Sequence, residues 1–207
     1  MSMRIRANAL TALTVAALAA GTLLTAPSAG AAPKAAAPKF LSASQLPPHP
    51  SSSWTAGPVT EGFPEELGFC VSTEGVLSYD YRHRTFRTDL DASAVQLTVV
   101  TGTAAQAKAL AKHYDDLIRT CAERIEKASP DTKAEGRDYG KLKVEEGARV
   151  RGLHTETSWG ANDVDLLSVG RDGRTVTVVQ WGQMGDFKGA PVTAFKKTTT
   201  TAVNKLY

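Results

Sequence analysis

Residues 104 to about 128 carry one apolar stripe with the spacing of a long amphipathic helix. Apolar residues recur three and four positions apart and charged residues fill the other face, as expected for a period of 3.6 residues. Thr103 is a suitable N-cap, and Ser129-Pro130 is a suitable end. A helix with one apolar face must pack against a second layer, which the rest of the chain has to supply. The stripe consists of Ala107, Leu110, Ala111, Tyr114, Leu117, Ile118, Cys121 and Ile125.

Short β-strand patterns before and after this helix are the natural second layer. A strand is predicted within residues 76–87, and another at residues 94–101, where Val95, Leu97 and Val99 share one face. Residues 131–140 are charged and are predicted to form a loop. Two further strands, residues 143–151 and 153–159, are predicted with a break near Gly152.

The dipeptide Asp172-Gly173 between two β-branched runs predicts a hairpin with a type I′ turn. Its strands are residues 164–171 and 174–181, and a two-residue turn fixes their register. Both strands are apolar on both faces, which indicates a central position in the sheet. The predicted pairs are Val169 with Val176, Leu167 with Val178, and Val164 with Trp181.

A second amphipathic helix is predicted to begin at Pro191, a residue that favours the first helical position. A run of four threonines lowers its helix propensity, so this helix must depend on packing. Together the elements predict an α+β fold, an antiparallel sheet packed on one face by the long amphipathic helix and the C-terminal helix. The C-terminal stripe consists of Val192, Phe195, Thr199, Ala202, Val203 and Leu206.

The N-terminus has the pattern of an export signal. Arg4 and Arg6 precede an uncharged stretch, and Ala29-Gly30-Ala31 fits a signal-peptidase site. The alternative is an uncleaved membrane anchor, but the apolar stretch is short and rich in alanine for a span of about 20 residues. The mature chain is therefore predicted to be secreted, extracellular and without a transmembrane span. The predicted organisation is a signal peptide at residues 1–31, a flexible Ala/Pro/Lys leader at 32–39 and a single α+β domain at 40–207.

Cys70 and Cys121 are the two cysteines of the chain. An even pair in an exported protein indicates a disulfide. The alternative is a reactive thiol, but burial on an apolar helix face would make Cys121 a poor nucleophile. Neither the cysteines nor the four histidines have the spacing of a metal site, so no metal and no cofactor is predicted.

Charge and motifs argue against several classes of protein. Loss of Arg4 and Arg6 with the signal peptide lowers the basic count from 24 to 22 against 21 acidic residues, a net charge of +1. That charge is too near neutral to indicate a nucleic-acid partner. The chain has no G-x-S-x-G, H-E-x-x-H, P-loop or G-x-G-x-x-G motif, so we predict no catalytic residues and no enzyme activity.

Aromatic and basic residues supply two candidate binding sites. Pockets for small ligands use aromatic walls with few polar groups, so the tryptophans are predicted to border a ligand groove. A basic strand segment is predicted to attract an anion. The alternatives are ordinary core and rim packing for the rings and a solvated strand face for the basic segment. The groove residues are Trp159 and Trp181, with Trp54 as a lid, and the basic segment is Arg82, His83 and Arg84.

The layout of the chain resembles a known family. The residues that carry the likeness are Phe40-Leu41-Ser42, Leu46-Pro47, a following Trp, Cys70, Arg84, Phe86, the segment Gln96-Leu97-Thr98-Val99-Val100, the helix with Cys121, Trp159 and the hairpin of residues 171–179. Over roughly residues 40–206 this pattern resembles the PknH-like extracellular sensor domain family of actinobacteria. The resemblance implies an antiparallel sheet flanked by helices around a ligand cleft, and it implies no catalytic residues. The sequence departs from the receptor form in lacking a kinase domain, an internal membrane span and a second cysteine pair, which favours a stand-alone secreted binding module.

Three functions of different classes stay open at this point. The first is an extracellular ligand-binding or sensor-like module without catalytic activity, whose partner is a small ligand or a cell-envelope component. The second is a secreted protein-interaction factor, such as a protease inhibitor, which would present a rigid loop at residues 131–140 or 182–190. The third is a hydrolase, which would show a clustered carboxylate or histidine pair.

Overall fold

The computed structural model describes residues 37–77 and 79–207, so the predicted signal peptide and most of the predicted leader lie outside the described residues. Near the first described residue, the backbone N–H of Lys39 donates to the carbonyl of Lys205 at 2.9 Å. None of the helices in the described part of the chain is long and apolar enough to cross a membrane. The elements are β1 (Thr55–Glu61), β2 (Asp80–Arg87), β3 (Ser93–Val100), α1 (Ala104–Arg119), α2 (Cys121–Ala128), β4 (Thr132–Leu142), β5 (Ala148–Thr157), β6 (Asn162–Asp172), β7 (Thr175–Met184) and α3 (Val192–Asn204), with 3₁₀ turns at Ala43–Gln45 and Glu65–Leu67.

The strands form one antiparallel sheet in the order β1-β2-β3-β7-β6-β5-β4. β3, β7 and β6 lie in the middle because their side chains are apolar on both faces, as predicted for the hairpin strands. α3 follows directly after Pro191, again as predicted. The predicted α+β class, with an antiparallel sheet and two helical regions, is confirmed.

The helices cover both faces of this sheet, and the prediction of helices on one face is wrong. Val95, Leu97 and Val99 of β3 share one face, as predicted, and pack with α1 and α2 on what we call the α1–α2 face. Leu166 of β6 packs with Phe195 of α3 on the opposite face, which we call the α3 face. The physical reason is the two-sided apolar pattern of the central strands, which needs a helix on each side.

The β6–β7 hairpin forms, but the predicted register and turn type are wrong. The two turn residues are Gly173 and Arg174, so Asp172 belongs to the strand. Gly173 has a φ of +51°, which suits the first central position of a type II′ turn. The shift moves every pair along the hairpin, and the observed pairs are Val169 with Val178, Leu167 with Gln180, Leu166 with Trp181 and Val164 with Gln183.

Two further predictions about strands are wrong for reasons of packing. β5 runs without a break through Gly152, where a Cβ atom would lie 2.7 Å from ring atoms of Tyr139 and Phe187. This glycine therefore makes room for two aromatic rings and does not mark a turn. Residues 131–140, predicted as a loop, lie mostly in β4. β4 is an edge strand with mostly exposed side chains, so it lacks the apolar alternation of a half-buried strand.

The long amphipathic segment forms two helices, not one, and its predicted N-cap Thr103 is confirmed. The break is at Thr120, which has φ −99° and ψ 7°. The Thr120 hydroxyl donates to the carbonyl of Asp116 at 3.1 Å, and Arg124 donates to the carbonyl of Leu117 at 2.8 Å. These side chains satisfy backbone acceptors at the break between the two helices.

The predicted disulfide between Cys70 and Cys121 is confirmed, with the two Cα atoms 5.2 Å apart. Arg124 also donates to the carbonyl of Cys70 at 2.7 Å. The covalent bond and this hydrogen bond both tie the segment around residue 70 to the start of α2. The neighbouring Phe69 is thereby held close to α2 on the α1–α2 face.

Candidate functional site

The three tryptophans predicted as groove residues lie in two different settings. Trp181 is 3% exposed and Trp54 is half-buried, and both belong to the core on the α3 face. The indole N–H of Trp54 donates to the carbonyl of Pro47 at 2.7 Å. Trp159 is 72% exposed and lies in the turn between β5 and β6. The structure thus brings Trp54 and Trp181 into one core cluster and leaves Trp159 outside it, while ligand binding by these residues stays a prediction.

The predicted basic segment is divided between the two faces of β2. Arg84 donates to the carbonyls of Gly57 at 2.7 Å and Leu41 at 3.1 Å, so it holds β1 and the N-terminal segment together. Arg82 lies 3.2 Å from a carboxylate oxygen of Asp80. His83 points to the opposite side of the strand from both arginines, since side chains alternate along β2. Anion binding here stays a prediction, for which the structure provides no common pocket of the three side chains.

A cavity of about 440 Å³ lies on the α1–α2 face, at the end of the sheet away from the Gly173 turn. We call it the Asp165 cleft. Its floor comes from β6, β7 and the start of β3, and its walls come from α2 and the segment around residue 70. The lining of the cleft includes Phe69, Asp91, Ile125, Leu153, Asp163, Asp165, Gln180, Gly182 and Met184.

A second cavity of about 460 Å³ adjoins the Asp165 cleft, and Ser93 and Gln180 line both. The second cavity extends toward β1 and carries one acidic and one basic side chain, Glu66 and Arg87. Gln180 is almost completely buried between the two spaces. A ligand in either cavity would therefore contact the region of the Gln180 amide.

Asp165 is the central polar group of the cleft. Its Oδ1 atom accepts a hydrogen bond of 2.6 Å from Nε2 of Gln180. The pair fits because Gly182 lies opposite Asp165 in the ladder: a Cβ at Gly182 would lie 2.8 Å from Gln180 Nε2 and even closer to Asp165 Oδ1. Within the described residues, no hydrogen bond reaches the Oδ2 atom of Asp165.

The environment of Asp165 favours its neutral form. Burial is the main cause and raises the pKa of this carboxyl from 3.8 to about 6, against the opposing hydrogen bond from Gln180. The charge of Asp163 on the same strand adds to the increase. Asp165 can therefore change its charge close to neutral pH, which is unusual for an aspartate.

The charged groups that line the cleft are all acidic. Asp91, Asp163 and Asp165 line it, and no lysine, arginine or histidine is found among its described lining residues. Asp91 lies 3.6 Å from Nε2 of His49, which does not line the cavity. In the described residues, no group of three or more His, Cys, Asp or Glu side chains is arranged to hold a metal ion.

Four apolar side chains line the cleft beside its polar groups, and two of the four are unusually open to solvent. Ile125 and Leu153 line its inner part. Phe69 is 37% exposed and Met184 is 62% exposed, and both also line the cavity. An aromatic ring and a thioether beside a carboxylate provide contact for an apolar group and a hydrogen-bond acceptor for a polar one.

Sequence reasoning did not select Asp165, although two signals were present. In the observed register Asp165 shares its face with Leu167 and Val169, so a carboxylate lies on the buried side of a central strand. Gly182 is the second signal, because a glycine inside a strand can indicate a close approach of other atoms. Asp163, two positions earlier on the same strand, is exposed, so the two aspartates lie in different environments.

Comparison with known proteins gives one distant structural likeness. No protein-family model matches the sequence, and no curated protein matches it. The chain is similar to the crystal structure of the extracellular domain of PknH from Mycobacterium tuberculosis, with 16% sequence identity, a TM-score of 0.45, and coverage of 75% of this chain and 87% of that chain. This is a distant structural relationship of the kind that the sequence resemblance implied, and it carries no argument about function.

Proposed function

We propose that this protein is an extracellular binding module that takes a small ligand into the Asp165 cleft. The observation that carries the proposal is an open cavity of about 440 Å³ with a partly hydrogen-bonded carboxylate in its floor. Volumes of roughly 300–1,000 Å³ are typical of small-molecule sites. The lining of the Asp165 cleft combines four apolar side chains with polar ones that could orient a ligand. An extracellular location is supported by the disulfide and by the export pattern of the N-terminus.

The cleft is also formed before any ligand arrives. The wall that carries Phe69 is tied to α2 by the Cys70–Cys121 bond and by Arg124. A preformed wall lowers the conformational entropy that a ligand must overcome on binding. The disulfide in this proposal therefore supports binding as well as folding.

The test is an NMR titration of the ¹⁵N-labelled exported protein with a fragment library of cationic, neutral and anionic compounds. We expect the library hits to shift the signals of Phe69, Gly182 and the Gln180 side-chain amide. Gly182→Ala should abolish these shifts, because its methyl group would displace the Asp165–Gln180 pair. Gly189→Ala is the matched control, since its methyl group would lie 3.6 Å or more from its neighbours. A library without any hit in the cleft would contradict the proposal.

A second candidate function, protein recognition, is favoured by one observation. Trp159 is 72% exposed on a turn in which Thr157 accepts a hydrogen bond of 2.9 Å from the backbone of Ala161. Exposed tryptophans on ordered turns are typical anchors of protein interfaces. Capture of extracellular proteins with the wild type and with Trp159→Ala distinguishes the two functions, because loss of a specific partner in the variant supports recognition through this turn.

A further inference from the structure

We propose that the Asp165 cleft selects an organic cation, an ammonium group attached to an apolar body. This inference names the ligand class of the proposed binding function and rests on that function. It follows from the charge of the lining, the incomplete hydrogen bonding of Asp165 and the apolar mouth of the cavity.

The charge of the cleft disfavours an anionic ligand and favours a cationic one. Asp91, Asp163 and Asp165 line the cavity, and its described lining contains no basic side chain. Like charges around a confined space raise one another's energy, and a bound cation relieves that repulsion. The nearest basic groups lie outside the lining: His49 is 3.6 Å from a carboxylate oxygen of Asp91, and Arg87 lines the neighbouring cavity.

The hydrogen bonding of Asp165 supplies the second observation. A carboxylate has about four acceptor sites, and the described residues occupy one, at Oδ1. Its Oδ2 atom accepts no hydrogen bond from the described residues, and the half-buried side chain lines the cavity. A buried carboxylate is costly unless it is hydrogen-bonded or paired. An ammonium group offers the missing donors and the opposite charge in one ligand atom.

The size of the cation follows from the cavity and from the spread of the carboxylates. The described residues hold no group of three ligating side chains for a metal ion, so the three aspartates are too dispersed to enclose a small divalent cation. A cavity of about 440 Å³ accommodates a much larger group. Phe69 and Met184 at the mouth offer a ring and a thioether, which favour alkyl and aryl ammonium compounds.

The charge state of Asp165 makes the binding of a cation dependent on pH, because only the ionised carboxylate attracts a positive charge. Its raised pKa of about 6 means that the carboxyl is mainly ionised at pH 7.5 and mainly neutral at pH 5. The other charged groups around it are Asp163 on β6, Asp91 with His49 near the β2–β3 turn, and Glu66 with Arg87 in the neighbouring cavity. β7, α2 and β5 contribute only uncharged side chains to the lining.

The experiment compares three probes of similar shape: phenethylamine as the cation, 2-phenylethanol as the neutral analogue and 3-phenylpropionate as the anion. Each is titrated into the exported protein at pH 7.5 and at pH 5, and binding is followed by the NMR signals of Gly182 and the Gln180 amide. We expect phenethylamine to bind at least tenfold more tightly than 2-phenylethanol at pH 7.5, since hydrogen bonds to charged groups are among the stronger ones. We expect no binding of the anion.

Variants connect this preference to Asp165. Asp165→Asn keeps the size and the Oδ1 acceptor but removes the charge, so it should lose most of the preference for phenethylamine over 2-phenylethanol. Glu123→Gln removes one charge from an exposed position of α2 outside the cleft and should leave the preference unchanged. The preference should also shrink at pH 5 in the wild type, because the probe stays charged while Asp165 becomes neutral.

The outcomes distinguish this inference from the proposed function. Equal binding of the amine and the alcohol in the wild-type cleft would overturn the organic cation and leave the binding module intact. Failure of all probes and of the fragment library to shift cleft signals would overturn both. Shifts of the same signals by calcium chloride alone would replace the organic cation with a metal ion.

Discussion

Asp165→Asn should stabilise the protein at neutral pH, and the gain should shrink in acid. Asparagine has nearly the same shape and retains an oxygen that can accept the 2.6 Å hydrogen bond from Gln180. What it removes is a charge in a site where burial raises the pKa of the carboxyl to about 6. The wild type therefore loses stability whenever Asp165 is ionised.

The magnitude follows from the pKa shift. A rise from 3.8 to about 6 is about two units at ~1.4 kcal/mol each, so the ionised carboxylate lowers the free energy of unfolding by about 3 kcal/mol. The folded-state pKa is the higher one, so this stability is fully present below pH 3.8 and is lost as the pH rises through 6. The variant should therefore gain about 3 kcal/mol at pH 7.5 and about 1 kcal/mol at pH 4.5.

Urea unfolding at both pH values, followed by near-ultraviolet circular dichroism, measures these differences. Asp131→Asn is the matched control, because Asp131 is exposed and makes no side-chain hydrogen bond among the described residues. Its effect should stay within about 0.5 kcal/mol at either pH. An Asp165→Asn protein that is less stable than the wild type at pH 7.5, or equally stabilised at both pH values, would refute the reasoning.

Three other changes test the fold. Serine at both Cys70 and Cys121 should lower the free energy of unfolding by up to about 4 kcal/mol, since the bond joins residues 51 positions apart; urea midpoints equal to those of the wild type would contradict this. Asp115→Ala should cost about 3 kcal/mol, because it leaves the nearly buried guanidinium of Arg151 without its two hydrogen bonds of 2.7 and 2.9 Å. Adding Arg151→Met should recover part of that loss in a double-mutant cycle. Gly152→Ala should cost about 1–3 kcal/mol, because the methyl group would lie 2.7 Å from two aromatic rings, and an unchanged melting temperature would show that the rings move aside freely.

The parts of the fold that the sequence predicted well are those that local periodicity controls. Three elements depend only on one segment and its own buried face. They are the helix that begins after Thr103, the strand with Val95, Leu97 and Val99, and the helix after Pro191. The Cys70–Cys121 disulfide could also be predicted, because two cysteines in an exported chain allow one pairing. Each of these inferences needed no information about a distant segment.

The errors arise where a distant contact decides the local structure. The glycine at position 152 predicted a break in the strand. The prediction failed because the rings that require this glycine, Tyr139 and Phe187, belong to other segments of the chain. The turn at Gly173 was assigned one residue too early, and the error moved Trp181 away from its true partner Leu166.

The candidate cleft could not be predicted from the sequence, because distant segments form it. Its wall at Phe69 and its floor at Asp165 and Gln180 come from segments about a hundred residues apart, so no local pattern connects them. The sequence does contain Asp165 on an apolar face and Gly182 inside a strand. Only the observed register places these two residues opposite each other and shows that the glycine makes space for the carboxylate.

Stability and binding should therefore respond in opposite directions to one substitution. Asp165→Asn removes an ionised carboxylate that destabilises the folded chain at neutral pH, and it removes the group that would attract a cation. A residue with a purely structural role would not behave in this way, because its replacement would lower stability and leave probe selectivity unchanged. A gain in urea stability together with loss of the preference for phenethylamine over 2-phenylethanol would identify Asp165 as a binding group held at a cost in stability, which is typical of functional sites.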